Sequence, residues 1–430
     1  MSAPVTRAPA REIFAWCTFD FANSGYTTVI ITAVFNVYFV NVVAENRPSA
    51  TLLWTLALSC SYLVVLLTAP ILGAIADYSA SKKRFLVWTT TACVIATGSL
   101  AFVGPGQIWL GAILIILSNT FYAAGENLIA AFLPELAPPE EMGKLSGYGW
   151  AWGYIGGLVA LALCLVYLQW ATGRGMTEAA AVPHTTLITA ALFGLAALPT
   201  FLWLRERREE AEIASMREYI GVGFERLTRT VREARQFEDL FRLLLCITAY
   251  SAGITVVSTV AGVYAQQVLA MTQIETISLL VVVNVAAAIG AFAFGFVQDR
   301  LGSKKTIAAT LLLWTATAIA AALIQSKFQL FIVGNMAGIA IGSSQSAGRA
   351  MIALLSPPTK TGEFFGLWGM AVKAASIVGP VTYGLTNYVS GSHRVAVLVT
   401  TVFFLGGLAL LIPVDEERGR RAALAYSDSD

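Results

Sequence analysis

Apolar residues run through this chain in long blocks, broken by short polar or glycine- and proline-bearing intervals. A hydrocarbon core of about 30 Å takes about 20 apolar residues in a helix. Twelve blocks meet that length, at roughly 13–43, 51–76, 85–104, 107–133, 145–169, 185–204, 240–269, 275–298, 305–325, 328–355, 363–389 and 395–413. They predict an all-α membrane protein of twelve transmembrane helices, and the even number puts both termini on one side. The interval 205–239 is different, with charged and polar residues through most of its length. Ile220, Phe224, Leu227 and Val231 recur in it at helical spacing, which predicts an amphipathic surface helix. The chain then divides into a six-helix half at 1–204, a cytoplasmic linker at 205–239, and a second six-helix half at 240–430 that ends in a short tail.

Composition narrows the class. Of 430 residues 57% are hydrophobic and 13% charged, with a mean hydropathy of +0.70, against about 25% charged in a soluble domain. A soluble enzyme and a disordered scaffold are excluded. The net charge is +2, and the basic residues form no run interleaved with aromatics, so nucleic acid is not an expected partner. Of the 28 Lys and Arg, Arg47, Arg174, Lys327 and Arg394 fall on the far side, Arg349 and Lys373 lie inside spans, and the other 22 fall on the side of the termini. The positive-inside rule therefore makes both termini cytoplasmic, in the inner membrane if the source is bacterial. Arg7 and Arg11 precede a first span of 31 residues, too long for a signal-peptide core. Cys17, Cys60, Cys93, Cys164 and Cys246 sit in apolar stretches without a C-x-x-C pair, as packed thiols do. The two histidines, His184 and His393, fall in predicted outer loops, which excludes a buried histidine relay. Neither H-E-x-x-H nor G-x-S-x-G occurs, so no catalytic or metal site is expected, and no cofactor. Without G-x(4)-G-K-[ST] there is no ATPase engine, so transport would draw on an ion or substrate gradient.

The two halves repeat one another. An offset of 222 carries Gly73, Asp77, Lys82 and Lys83 onto Gly295, Asp299, Lys304 and Lys305, and an offset of 223 carries Gly125, Pro134, Gly143 and Gly156 onto Gly348, Pro357, Gly366 and Gly379. Halves with an even number of helices repeat in parallel, about an axis along the membrane normal with a cavity between them. The duplicated G-x-x-x-D-x(4)-K-K resembles the loop motif of the major facilitator superfamily, G-x-L-x-D-R-x-G-R-K. The second copy keeps Arg300 and Gly302, where the first has Tyr78 and Ala80. Gly73, Asp77, Lys83, Arg84, Asp299, Arg300 and Lys304 are the residues expected to act there, as a latch on one conformation or as a static loop staple.

Charge inside a bilayer is expensive, so each ionisable residue there is a site by default. Asp20 on helix 1 and Glu126 on helix 4 belong to the first half; Arg349 on helix 10 and Lys373 on helix 11 belong to the second. At 1.5 Å per residue the first three lie about 10 Å inside the cytoplasmic ends of their helices, and Lys373 about 15 to 18 Å in. Asp20, Glu126 and Arg349 suit a gate or ion-coupling group. If protons drive transport, Asp20 or Glu126 carries them. The repeat offset superposes Glu126 on Arg349 and predicts an ion pair between them. Polar stripes on helices 1, 4 and 7 add Asn23, Tyr122, Ser251 and Thr255 to Lys373 and Ser376 as substrate-binding candidates, each alternatively an interhelical hydrogen bond. Gly149, Gly153, Gly156 and Gly157 on helix 5 permit close helix contact. They also resemble the exporter motif G-x(3)-G-P-x-x-G-G, with Tyr154 where its proline stands.

The string from Trp16, WCTFDFANSGYTTVIITAVFNVYF, resembles the opening of the Atg22-like (UMF1) family, Y-D-W-A-N-S-x-F/Y, and the likeness continues from Ala131 and from Gly362. The resemblance implies a secondary carrier by alternating access. Its solute would be small and polar or charged, in the family's amino-acid class, and exported. A lipid, lysolipid or amphiphilic-drug transporter of the same fold, or a non-transporting receptor, are the alternatives. The bilayer, a small-molecule substrate and protons are its expected partners, with the chain acting as a monomer.

Overall fold

The computed structural model describes residues 7–45, 47, 49–207 and 237–426, so most of the 205–239 interval, with its expected amphipathic helix, lies outside the described residues. Regular structure among the described residues is helical throughout. The long helices are α1 (Ala10–Val43), α2 (Ala50–Tyr78), α3 (Lys82–Ser99), α4 (Ile108–Ala130), α5 (Met142–Thr172) and α6 (Glu178–Trp203), then α7 (Glu238–Leu269), α8 (Gln273–Leu301), α9 (Ser303–Leu323), α10 (Lys327–Leu355), α11 (Thr361–Ser390) and α12 (His393–Leu411). A polar helix, α13 (Glu416–Ala425), follows. Eleven of the twelve are long and apolar enough to cross a bilayer. The other, α10, has 29 residues, and Asn335, Ser343, Ser344, Gln345, Ser346 and Arg349 dilute its apolar surface.

Local chemistry sets the ends. Thr272 with Glu275 and Ser326 with Gln329 form capping boxes at the starts of α8 and α10. The turns joining α2 to α3 and α8 to α9 are repeat equivalents, and both need left-handed backbone: Gly302 has φ +88° and Ala80 φ +45°. α1 is not the single α-helix expected. Its β-branched run widens into π-turns over Thr27–Ala33 and again over Phe39–Val43.

The halves meet along α2 against α11 and α5 against α8. Small residues make both seams possible: a Cβ on Gly366 would lie 2.4 Å from the Ala69 carbonyl, and one on Gly147 2.5 Å from that of Ala291. Leucines and isoleucines of α6 and α9, such as Leu195, Leu202, Leu312 and Ile319, stay exposed on the perimeter, as lipid-facing supports do. Four cysteines are buried, but Cys60 lies on the exposed surface of α2 rather than in the core. His184 and His393 lie in helices, not in loops, each accepting or donating to a tyrosine hydroxyl, Tyr167 at 2.7 Å and Tyr383 at 2.6 Å.

Candidate functional site

At the end of the bundle that carries the termini, two aspartates close the seams. Asp77, at the end of α2, accepts the Glu363 N–H at 2.9 Å and the Thr361 hydroxyl at 3.4 Å, at the start of α11. Asp299, at the end of α8, accepts the N–H groups of Gly143 at 2.9 Å and Lys144 at 3.1 Å, at the start of α5. Each aspartate meets the positive end of a helix dipole from the opposite half. Gly73 admits this approach, since a Cβ there would lie 2.0 Å from the Gly362 carbonyl. Replacing both with asparagine should weaken this closure by about 1 kcal/mol per site, the worth of a charged helix cap. Faster labelling of cysteines introduced at that end would measure it.

Of the two readings of the motif, latch or loop staple, the contacts of its basic residues Lys83 and Lys304 are those of a staple. Lys83 donates to the Leu204 carbonyl at 2.6 Å, and Lys304 to that of Ile412 at 2.7 Å, each within its own half. Glu206 accepts the N–H groups of Lys82 and Lys83, and Glu416 those of Ser303 and Lys304. Burial pushes the Glu206 carboxyl above its ordinary range, and these N–H groups oppose the shift. Arg84 and Arg300 are exposed. The cation that crosses to the other half is Lys82, fully buried, paired with Glu135 and donating to Thr361 at 3.3 Å. A second duplicated staple escapes motif comparison: Arg207 holds Glu12 at 2.9 Å, and Arg418 holds Asp239 at 2.6 Å. In both halves an acid at the start of the first helix takes an arginine from just after the sixth.

Deeper in, Arg349 bridges the halves. Its Nη1 donates to Asp20 Oδ2 at 2.7 Å, Nη2 to the Ser146 carbonyl at 2.9 Å, and Nε to the Ser146 hydroxyl at 3.1 Å. The guanidinium lies 4.6 Å from the Trp16 ring centroid and 5.2 Å from that of Trp150. Side-chain exposure is 3% for Arg349 and 11% for Asp20, so the pair is sealed from bulk water. This corrects the expected Glu126–Arg349 pair: among the described residues no ion pair joins these two. The repeat offset aligns positions along the helices, but α1 crosses α5 at its glycines and so delivers Asp20, not Glu126, to the arginine. A Cβ on Gly149 would lie 2.3 Å from Asp20 Oδ2 and 2.5 Å from Arg349 Nη2.

Above this ion pair a cavity of about 450 Å³ opens between the halves and extends toward the end away from the termini. Ser24, Thr27, Tyr62, Asn119, Tyr122 and Glu126 give the first half a polar wall; the second half's is largely apolar, with Val256, Val260, Leu279, Val283, Leu330 and Val333, but also carries Ser258, Asn284, Gln345 and Lys373. Lys373 lines the cavity, its Nζ 5.3 Å from the Tyr62 centroid and 6.0 Å from that of Tyr122. Glu126 lines the same cavity as Lys373. Of the candidates, Lys373, Tyr122 and Glu126 meet on this wall. Asn23 and Asp20 lie below it, in a small chamber of about 30 Å³. Ser251, Thr255 and Ser376 stand off the wall; the Ser376 hydroxyl donates to the Val372 carbonyl at 2.9 Å. At Ala252, next to the buried Ser251, α7 packs closely on Gly379 of α11. Tyr62 and Trp150 are the functional neighbours that polar stripes miss, because an aromatic in an apolar helix reads as packing. The adjacent Ser61, which accepts Asn119 Nδ2 at 2.5 Å, is the signal for Tyr62.

Two six-helix halves around a cavity, closed at one end by caps and charges, are the build of an alternating-access membrane carrier. Solved structures agree in fold: the human organic anion transporter MFSD10 superposes with a TM-score of 0.72 at 15% identity, over 94% of this chain and 100% of that one. The major facilitator superfamily transporter FucP in its outward conformation gives 0.66 at 16% identity, over 93% and 97%. The chain belongs to the Atg22-like vacuole effluxer family, whose model matches residues 36–424. It is 29% identical to the uncharacterized MFS-type transporter YxiO of Bacillus subtilis (strain 168), over 96% of this chain and 97% of that protein. It is 23% identical to autophagy-related protein 22 of Kluyveromyces lactis, over 88% and 82%. It is therefore a multi-pass membrane transporter of the major facilitator superfamily, and family and fold are not those of an enzyme.

Proposed function

We propose that this carrier exports a small solute bearing a carboxylate, amino-acid-like in size, by rocking one half against the other as a monomer. On this reading both termini lie in the cytoplasm, the described arrangement is the one that releases solute outward, and in a bacterium the inner membrane is its place. The observation that carries it is Lys373, a cation on the cavity wall held between two tyrosine rings in the cavity that Glu126 also lines. An ammonium there takes a carboxylate as a point-charge partner, while Glu126 takes the positive end of a zwitterion. The caps at Asp77 and Asp299 act as the latch, holding the terminal end shut in this arrangement. The apolar wall of the second half favours solutes with a nonpolar side, and it is the reason to keep lysolipids and amphiphilic organic anions as the second reading.

Counterflow of pooled labelled amino acids into proteoliposomes tests this directly. Saturable flux should appear, and Lys373→Ala should reduce it about tenfold to a hundredfold, the worth of one charge-assisted contact. Unchanged flux in that variant sinks the role of Lys373. Flux of lysolipid or organic anion in place of amino acids moves the assignment to the second reading.

A further inference from the structure

The small chamber between the gate and the cavity holds polar atoms that the protein itself leaves unmatched. Asn23, 5% exposed, has its Oδ1 without a hydrogen-bond partner, and the buried Trp150 Nε1 also lacks one. Both residues line the chamber, together with Asp20, Glu126 and Arg349. One orphan is an acceptor and the other a donor, which is the pair of needs a water molecule satisfies and a bare cation does not. A chamber of about 30 Å³ has room for a water, which needs about 10–15 Å³. Ser24, Tyr122, Glu126, Trp150 and Trp368 line both the chamber and the cavity above, so Glu126 stands where the two meet.

We propose that this chamber is a water site which relays a proton from Glu126 to Asp20 and so couples the cavity to the Arg349 gate. The proposal rests on the carrier reading above and names protons as its coupling ion. In the relay the Glu126 O–H breaks and its proton passes to a chamber water. That water gives up another of its protons to an Asp20 carboxylate oxygen, and a new O–H forms there. Glu126 is left as the carboxylate, the water is regenerated, and Arg349 loses the anion that holds it. The groups facing this path are Arg349 from α10, Glu126 and Tyr122 from α4, Tyr62 from α2, Tyr154 from α5, Lys373 from α11 and Cys17 on the same helix as Asp20. Asn23 and Trp150 act as positioning residues, since each holds the water rather than the proton.

The test needs no substrate, so a failed amino-acid assay leaves it intact. Arg205, just after α6 of the first half, and Lys305, at the start of α9 in the second, are exposed at the terminal end. Dyes on Arg205→Cys and Lys305→Cys, with Cys60→Ala, report the opening of that end by energy transfer in nanodiscs. A jump from about pH 8 to about pH 5, spanning the carboxylate-to-histidine range, should lower transfer in the otherwise unaltered carrier. Asp20→Asn should show low transfer already at the higher pH. Asn23→Leu fills the chamber with hydrocarbon and should slow the response by about a hundredfold, the loss typical of a misplaced proton-transfer group. Asn23→Ser, which keeps an oxygen and the space, should respond at the original rate, and this separates a water site from a packing defect. A pH jump that leaves transfer unchanged overturns the proposal, as does Asn23→Leu responding as fast as Asn23→Ser.

Discussion

Neutralising Arg349 should spring the terminal end open. Arg349→Gln removes the cation from a sealed pair and strands the Asp20 carboxylate, buried and without its partner. Breaking one side of a buried ion pair costs about 3 to 5 kcal/mol, and 1.4 kcal/mol is about tenfold in an equilibrium. The closed arrangement should therefore lose a factor of about a hundred or more relative to the open one. Asp20→Asn should do the same from the other side. The double variant should recover much of the loss, because the penalty in each single one is the unpaired charge and not the missing bond. Energy transfer between dyes at Arg205 and Lys305 reads all three. A double variant no better than either single one would show that the pair does not hold the gate.

Gly149→Ala should reach a similar result without touching a charge. A single methyl placed 2.3 Å from Asp20 Oδ2, 2.5 Å from Arg349 Nη2 and 2.7 Å from the Trp16 ring must push all three apart. None of the three is the loose end of a flexible chain: Trp16 is fully buried, its Nε1 donating to the Ile129 carbonyl at 2.8 Å, and Arg349 is tied to Ser146. Overpacking costs about 1 to 3 kcal/mol, and the weakened pair adds to it. Thermal unfolding in detergent should show a lower midpoint, and the open end should be populated. Gly384→Ala, on an exposed face of α11 with open space around its Cβ position, is the control for glycine loss in general. Equal effects of the two would remove Gly149 from the gate.

Much of this architecture was legible before any coordinates. Block length is read by the bilayer, so twelve helices and the parallel repeat follow from the linear order of apolar residues. The cost of charge in hydrocarbon marked Asp20, Glu126, Arg349 and Lys373, and the duplicated aspartates Asp77 and Asp299 stood out by repetition. What a one-dimensional comparison cannot carry is which side chains cross between helices. Helix crossings depend on the positions of small residues in three dimensions. The glycines of α5 bring α1 close enough for Asp20 to reach Arg349, and Glu126 is left on the cavity with Lys373. The same limit explains the motif lysines. Their spacing is identical whether they latch two halves or staple one, and only the tertiary structure shows Lys83 and Lys304 bound to carbonyls of their own half. The sequence by itself determined the membrane plan and the inventory of costly charges, because both depend on transfer energies of individual residues. The tertiary structure decided the partners of those charges, the polar and apolar walls of the cavity and the unmatched atoms of the chamber, because each is a property of contacts between residues far apart in the chain.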